Sequence, residues 1–367
     1  MLRFEIGLDW IGKIDMIRSG AYRCSSVVRI RSGHVGGSGL GLADLGEPRQ
    51  VSLRISVRGL DFTCAFSCGF TLHHVDTSTA RDLTVATLYS FIPRSIYILT
   101  SPSPTMKIAD RTFLISGGVS GLGLATARAL HSSGAYVSLL DLNSSNGSKI
   151  VSELGSRAKF FETDVTDTDA IATAVRGTVA WVKETGKDIG GVVAGAGVGM
   201  PGLIIDKKNE PLSIESIDFV LNINLRGTLD LVRQVVPHMT TTTPSSPDGS
   251  RGVIIMIASS AAFDGQMGQV AYAASKGAVA SLTLPLARDL SKYGIRAVTI
   301  APSMFDSAMT RMMSDKVKRS LENSMEFPKR AGLPEEFARL VVECVGNEML
   351  NGTVLRLDGA MRMPARL

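Results

Sequence analysis

The heptapeptide AYAASKG, residues 271–277, places a phenol four residues before an ammonium group. On a helix, Tyr272 and Lys276 would share one face, with side chains near enough to interact. A cation beside a phenol favours the phenolate and draws a Tyr pKa down from about 10 toward the range of an acid–base catalyst. A lone pair of this kind is more often an ordinary surface contact, so the rest of the chain has to decide. Thirteen residues before Tyr272, Ser259 ends the apolar run GVIIMIAS, where its hydroxyl would face whatever lies beyond a strand's carboxyl end. Further upstream, SGGVSGLG (116–123) sets Gly117, Gly121 and Gly123 between a strand-like run and a helical one. At such a turn a pyrophosphate can approach the backbone at a helix N-terminus. The spacing is GxxxGxG rather than GxGxxG, and its place between strand and helix is what gives it weight. Asp141 closes the next apolar run, eighteen residues after Gly123. A carboxylate there accepts both ribose hydroxyls of NAD and repels the added phosphate of NADP. The following LNSSN brings no Arg to receive that phosphate, so the expected cofactor is NAD. Asp164, in TDVTD after the strand-like KFF, either hydrogen-bonds an adenine amino group or starts a helix.

Elements in a definite order must position these groups. From residue 107 onward, apolar strand-like runs alternate with helix-length segments. TFLISG (112–117), YVSLLDL (136–142), GGVVAGAG (190–197), GVIIMIASS (252–260) and IRAVTIAP (295–302) read as strands, and LGLATARALHSSG as a helix ending at Gly134. Short β-rich runs separated by helices imply parallel strands with crossover connections. The expected fold is α/β, a doubly wound, mostly parallel, Rossmann-type sheet in a single catalytic domain. TTTTPSSPDGS (240–250) reads as an exposed loop.

The 367 residues are 44% hydrophobic and 20% charged, with a net charge of +5, a globular balance. No basic block interleaved with aromatics points to nucleic acid. Cys24, Cys64, Cys68 and Cys344 form no paired CxxC set, and the adjacent His73 and His74 lack partners at ligand spacing, so no metal site is expected. No stretch reaches the ~18 charge-free apolar residues of a membrane span.

The first 105 residues differ in kind from the rest. They hold ten Arg but one Lys, three of the four Cys, three of the five His, and no sustained periodicity. Their GGSGLG is followed by no convincing helix. Residues 1–105 are therefore expected to be a poorly structured extension: an added small domain, an organelle-targeting leader, or upstream sequence from a mistaken start. Glu5, Asp9 and Asp15 count against a leader. MKIADRTFLISGG, from Met106, reads like a true protein start and favours the third. Residues 106–367 are the expected catalytic domain.

Four of these motifs, in this order, resemble the signature of the short-chain dehydrogenase/reductase family: SGGVSGLG for its glycine turn, NINLRG with Asn224 for its NxxG setting, Ser259, and YAASK. The resemblance implies that Tyr272 is the general acid–base and that Lys276 lowers its pKa and holds the nicotinamide ribose. It implies that Ser259 hydrogen-bonds the substrate oxygen and that Asn224 supports a water-linked proton path. The likeness extends, from about Lys107 to Met363, to the branch of the family that oxidises 3-hydroxyacyl-CoA esters. That branch implies Ser120, Leu122, Asp141, Asp164, Val165, Tyr272, Lys276 and Phe305 as NAD contacts, Gly195 through its backbone, and Ser307 in place of a Thr on the carboxamide. It implies Ser259 and Gln266 as substrate contacts, an acyl-CoA substrate and a homotetramer. There are departures. The family's Asn-rich NNAG is AGAG (194–197) here, with an expected loss of sheet stabilisation, and Ser303 follows Pro302 in place of Gly. The Met-rich 305–330 aligns with a mobile substrate loop. A steroid or biosynthetic-pathway alcohol remains an alternative substrate, and a scaffold or RNA-processing role an alternative of another class. The C-terminal ARL matches a relaxed peroxisomal address, so the expected compartment is the peroxisome or the mitochondrial matrix.

Overall fold

A computed structural model describes residues 50–57, 60–67, 106–311 and 313–365. The chain divides into two units, Met1–Ser103 and Pro104–Leu367. In the first, strands β1 (Gln50–Val57) and β2 (Leu60–Ser67) form an antiparallel hairpin. Val51, Leu53, Ile55 and Val57 alternate along β1, a period of two that the sequence reading passed over. The histidines His73 and His74 and the GGSGLG run lie outside the described residues, as do Arg366 and Leu367 of the C-terminal ARL.

The second unit is built on seven strands: β3 (Thr112–Ser116), β4 (Tyr136–Asp141), β5 (Ala158–Glu162), β6 (Ile189–Ala194), β7 (Gly252–Ile257), β8 (Ile295–Pro302) and β9 (Thr353–Leu357). They pair in the order β5-β4-β3-β6-β7-β8-β9, all parallel. The expected doubly wound sheet is present, and β9 extends it beyond the strands read from the sequence. The chain leaves β3 toward β4 on one side and returns to β6 on the other, so a crevice opens between these strands at their carboxyl ends.

Helices cover both faces. They are α1 (Gly121–Ser132), α2 (Ser144–Leu154), α3 (Thr168–Thr185), α4 (Ile214–Leu221), α5 (Thr228–Met239), α6 (Val270–Leu290), α7 (Ala308–Arg311), α8 (Asp315–Asn323) and α9 (Pro334–Gly346). The inner strands are mostly apolar because both faces are buried, and alternate residues feed opposite layers. Phe113, Ile115, Val137 and Leu139 join Leu130 of α1 and Phe337 and Val341 of α9 in one core. Leu114, Leu140, Val192 and Ile254 join Ile171 of α3, Val235 of α5 and Val279 of α6 in the other. Among the described residues, no helix is long and apolar enough to cross a membrane, and no three or more His, Cys, Asp or Glu cluster as metal ligands.

Candidate active site

The glycine turn follows β3 directly. Gly121 holds a left-handed φ of +49°, and a side chain on Gly123 would run into the Gly117 carbonyl. Ser120 is the N-cap of α1, so the first amides of that helix open into the crevice. Gly117 approaches Gly195 so closely that a Cβ there would stand 3.0 Å from the Gly195 carbonyl. The cradle is thus shaped for a group that comes against bare backbone. Asp141, at the end of β4, accepts from the amides of Val119 and Asn143, both at 3.3 Å, which fixes its carboxylate at the far end of the crevice.

Asp164 accepts both the amide and the hydroxyl of Thr166 on one carboxylate oxygen, at 2.8 and 2.7 Å. It does not start the next helix; Asp167 caps α3 instead. Asp164 and Val165 both line the crevice. So do Leu122, which also packs on the core, and Ser307, held by its amide's 2.9 Å bond to the Thr310 hydroxyl. Phe305 reaches the crevice but is chiefly an anchor: its ring packs edge-on against Phe337, with centroids 6.1 Å apart.

The chemical end lies where β7 meets α6. Strand β7 stops at Ile257, two residues short of Ser259, whose hydroxyl accepts the Ala261 amide at 3.2 Å as it opens a short turn. Tyr272 lies in the first turn of α6 and Lys276 one turn later, on the face toward Ser259. The Lys276 ammonium donates to the Ile257 carbonyl at 2.8 Å and stands 5.9 Å from the centre of the Tyr272 ring. Surrounding protein pushes the Tyr272 phenol above its ordinary value, and a hydrogen bond with Ser259 pulls the other way. In the cofactor-free protein burial is thus the larger influence on the phenol. Burial acts on both groups, and it brings Lys276 itself down to about 8.

Asn224 is fully buried behind the crevice wall, in a π-helical segment, Asn222–Gly227, that the sequence reading did not anticipate. Its side chain pairs with both backbone groups of Val198, accepting at 2.8 Å and donating at 3.0 Å, and donates to Ser275 at 3.1 Å. Ser275 in turn donates to the Tyr272 carbonyl at 2.7 Å. The small residues of AYAASKG therefore do more than leave room: they let α6 close on this segment.

Ser259, Tyr272 and Lys276 share one crevice of about 340 Å³ with Gly117, Asp141 and Gly195. Gln266 is not brought to it. Its amide donates instead to the Pro364 carbonyl at 2.9 Å. Three residues to which the sequence assigned no role of their own take part. Thr310 braces Ser307. Gly197 leaves open the space in which a Cβ would stand 3.1 Å from Asn224 Oδ1 and 3.3 Å from Lys276 Nζ. Ser116 accepts the amides of Gly195 and Ala196, both at 3.1 Å. The AGAG segment thus keeps a cross-strand tie where a loss was expected.

A family model described as short chain dehydrogenase matches residues 111–318. The chain is 44% identical to a Bos taurus protein named 3-hydroxyacyl-CoA dehydrogenase type-2, over 68% of this chain and 94% of the relative. It is 43% identical to a Drosophila melanogaster protein of the same name, over 70% and 99%. The crystal structure of 3-hydroxyacyl-CoA dehydrogenase type-2 from Mycobacterium avium aligns with a TM-score of 0.65 at 34% identity, covering 70% of this chain and 97% of that one. The chain belongs to the short-chain dehydrogenase family. It is an oxidoreductase acting on CH–OH groups. In this short-chain dehydrogenase the glycine turn, Ser259, Tyr272 and Lys276 fall within the matched span, and Asp141 closes the same crevice.

Proposed function

We propose that the chain interconverts 3-hydroxyacyl-CoA and 3-ketoacyl-CoA, with NAD as the hydride carrier. The observation that carries this reading is the meeting of Ser259, Tyr272 and Lys276 at one end of a crevice whose other end is closed by the Asp141 carboxylate. The names of the relatives support the substrate class. A dinucleotide fits the bare-backbone cradle at Gly121 and Gly123, with its adenosine ribose toward Asp141 and its adenine toward Asp164. When bound, its nicotinamide would accept hydride from the C–H of the alcohol carbon.

The chain's own residues handle the oxygen and its proton. The Ser259 hydroxyl donates to the substrate oxygen and stabilises the negative charge that grows there in ketone reduction. Tyr272, kept protonated at neutral pH by its surroundings, donates the proton that completes the alcohol. In oxidation the same phenol must first lose its proton and then take that of the substrate. Lys276, fixed by the Ile257 carbonyl, holds a positive charge beside that phenolate below about pH 8. Asn224 keeps the Val198 loop and α6 in register through Ser275. A homotetramer in the peroxisome or mitochondrial matrix belongs to the same reading.

The test follows NADH oxidation by the full chain with acetoacetyl-CoA, with NADPH as the control. Turnover with NADH alone, and loss of at least a hundredfold in Tyr272→Phe, is the expected result. Equal rates with NADPH would overturn the reading of Asp141. Unchanged rates in Tyr272→Phe would overturn the role of the phenol.

A further inference from the structure

Gln266 is more than nine-tenths buried, yet it faces away from the crevice. Its backbone amide and carbonyl form a reciprocal pair with Gln269, donating to Gln269 Oε1 at 3.0 Å and accepting from the Gln269 backbone amide at 3.1 Å. Gln269 is the N-cap of α6, three residues before Tyr272, and its carbonyl accepts the Ala273 amide. On the other side, the Gln266 side chain is held by the Pro364 carbonyl, and the Met267 amide donates to the Ala365 carbonyl at 3.2 Å.

The same C-terminal segment is tied to the crossover at a second place. Arg356 bridges Asp264 and Asp358, donates to the Met361 carbonyl at 3.2 Å, and lies over the Phe263 ring at 5.0 Å. Beyond it, Met361 and Met363 pack with Leu321 of α8, Met304 and Met325. One strand of backbone, residues 358–365, is therefore wedged between the 260–269 crossover and the Met-rich segment around α8.

We infer that residues 358–365 form a strap that sets the Ser259–Tyr272 geometry and couples it to the α8 segment, with Gln266 as the positioning residue that the strap holds. Gln266 touches no reacting atom. It acts through Gln269 and the first turn of α6.

The test compares the full chain with Gln266→Leu, with Gln266→Glu, which keeps the size but loses the donor, and with a chain ending at Met363. Each variant is expected to bind NADH as the full chain does, and to lose about tenfold in kcat with acetoacetyl-CoA while KM changes less than about twofold. Combining Gln266→Leu with the shortened chain is expected to cost no more than the shortening alone, since the shortening already removes the Gln266–Pro364 tie along with that of Met267 to Ala365. Hydrogen exchange is expected to quicken in both 260–270 and 315–323 of the shortened chain. A Gln266→Leu variant that raises KM alone would make Gln266 a substrate contact and overturn the proposal, as would additive losses or exchange left unchanged in either segment. The kinetic arm rests on the acyl-CoA reading. A full chain that does not turn over acetoacetyl-CoA would sink that reading, while exchange would still decide the strap.

Discussion

Lys276 carries a cost that its proposed role explains. Its ammonium is almost wholly enclosed, with one carbonyl, that of Ile257, as its hydrogen-bond partner, and burial lowers its pKa from 10.5 to about 8. In the unfolded chain the same group titrates near its ordinary value. Between about pH 8 and 10.5 the unfolded state therefore binds more protons at this group, and the Lys276 contribution to the stability of the cofactor-free protein rises with pH through that window. Below about pH 8 both states are charged and the penalty, on the order of 3 kcal/mol, is present in full. Lys276→Met is expected to lack this rise. Urea unfolding midpoints at pH 7 and pH 9.5, for the native sequence and the variant without NADH, check it. An equal change with pH in both chains would show that Lys276 is not the group responsible. An anionic phenolate at Tyr272 would offset the penalty, so a charge that strains the empty site serves the working one.

At the scale of elements, Ser116 closes the switch between β3 and β6. Its hydroxyl takes the Gly195 and Ala196 amides, two donors that lie just past the end of β6, the first of which also reaches the Val193 carbonyl at 3.1 Å. Ser116→Ala leaves both without that partner and is expected to cost about 1–3 kcal/mol. It should also weaken NADH binding, because the freed backbone forms the floor under Gly117. Ser116→Thr keeps the oxygen and is expected to restore both. Urea midpoints and NADH titration read the two effects, and an unaltered Ser116→Ala would refute the tie. This residue shows what was legible in the sequence and what was not. The glycine turn, Asp141, Ser259 and the Tyr272–Lys276 pair announce themselves because backbone approach and proton chemistry demand particular residue types at fixed spacing. The loss of the family's Asn at AGAG was visible too, but the tie made there by the Ser116 hydroxyl, on the neighbouring strand directly across from Ala194, depends on sheet register, which the sequence does not print. The π-helical segment around Asn224 was hidden for a similar reason. Its pattern, NINLRG, is compatible with an ordinary helix, and only the structure shows Gly227 set close against Val165 at its end. Gln266 was expected as a substrate contact on the family resemblance alone, and the path of the C-terminal segment, whose Pro364 carbonyl holds its side chain, is not legible in the sequence.

At the scale of the whole molecule, every group proposed for chemistry lies between Gly117 and Thr310, inside the unit Pro104–Leu367. Met106 is buried at the start of that unit, and its amide donates to the Gly346 carbonyl at 3.3 Å, at the end of α9. Arg296, itself buried, donates to the carbonyls of Cys344, Val345, Asn347 and Leu350 and so satisfies the last turn of the same helix. A chain begun at Met106 would place a charged amino group against that carbonyl end, where a cation is favoured by the helix dipole by about 0.3–1 kcal/mol. The shortened chain is thus expected to fold, to melt within a few degrees of the full chain, and to keep its kcat and KM for acetoacetyl-CoA with NADH. Purifying both and comparing thermal unfolding and turnover checks this. A shortened chain that binds NADH weakly or turns over slowly would assign the hairpin unit a part in the site. Unchanged behaviour would confine the working enzyme to residues 106–367, with the Arg296 cap and the 358–365 strap as the two ties that fasten its ends.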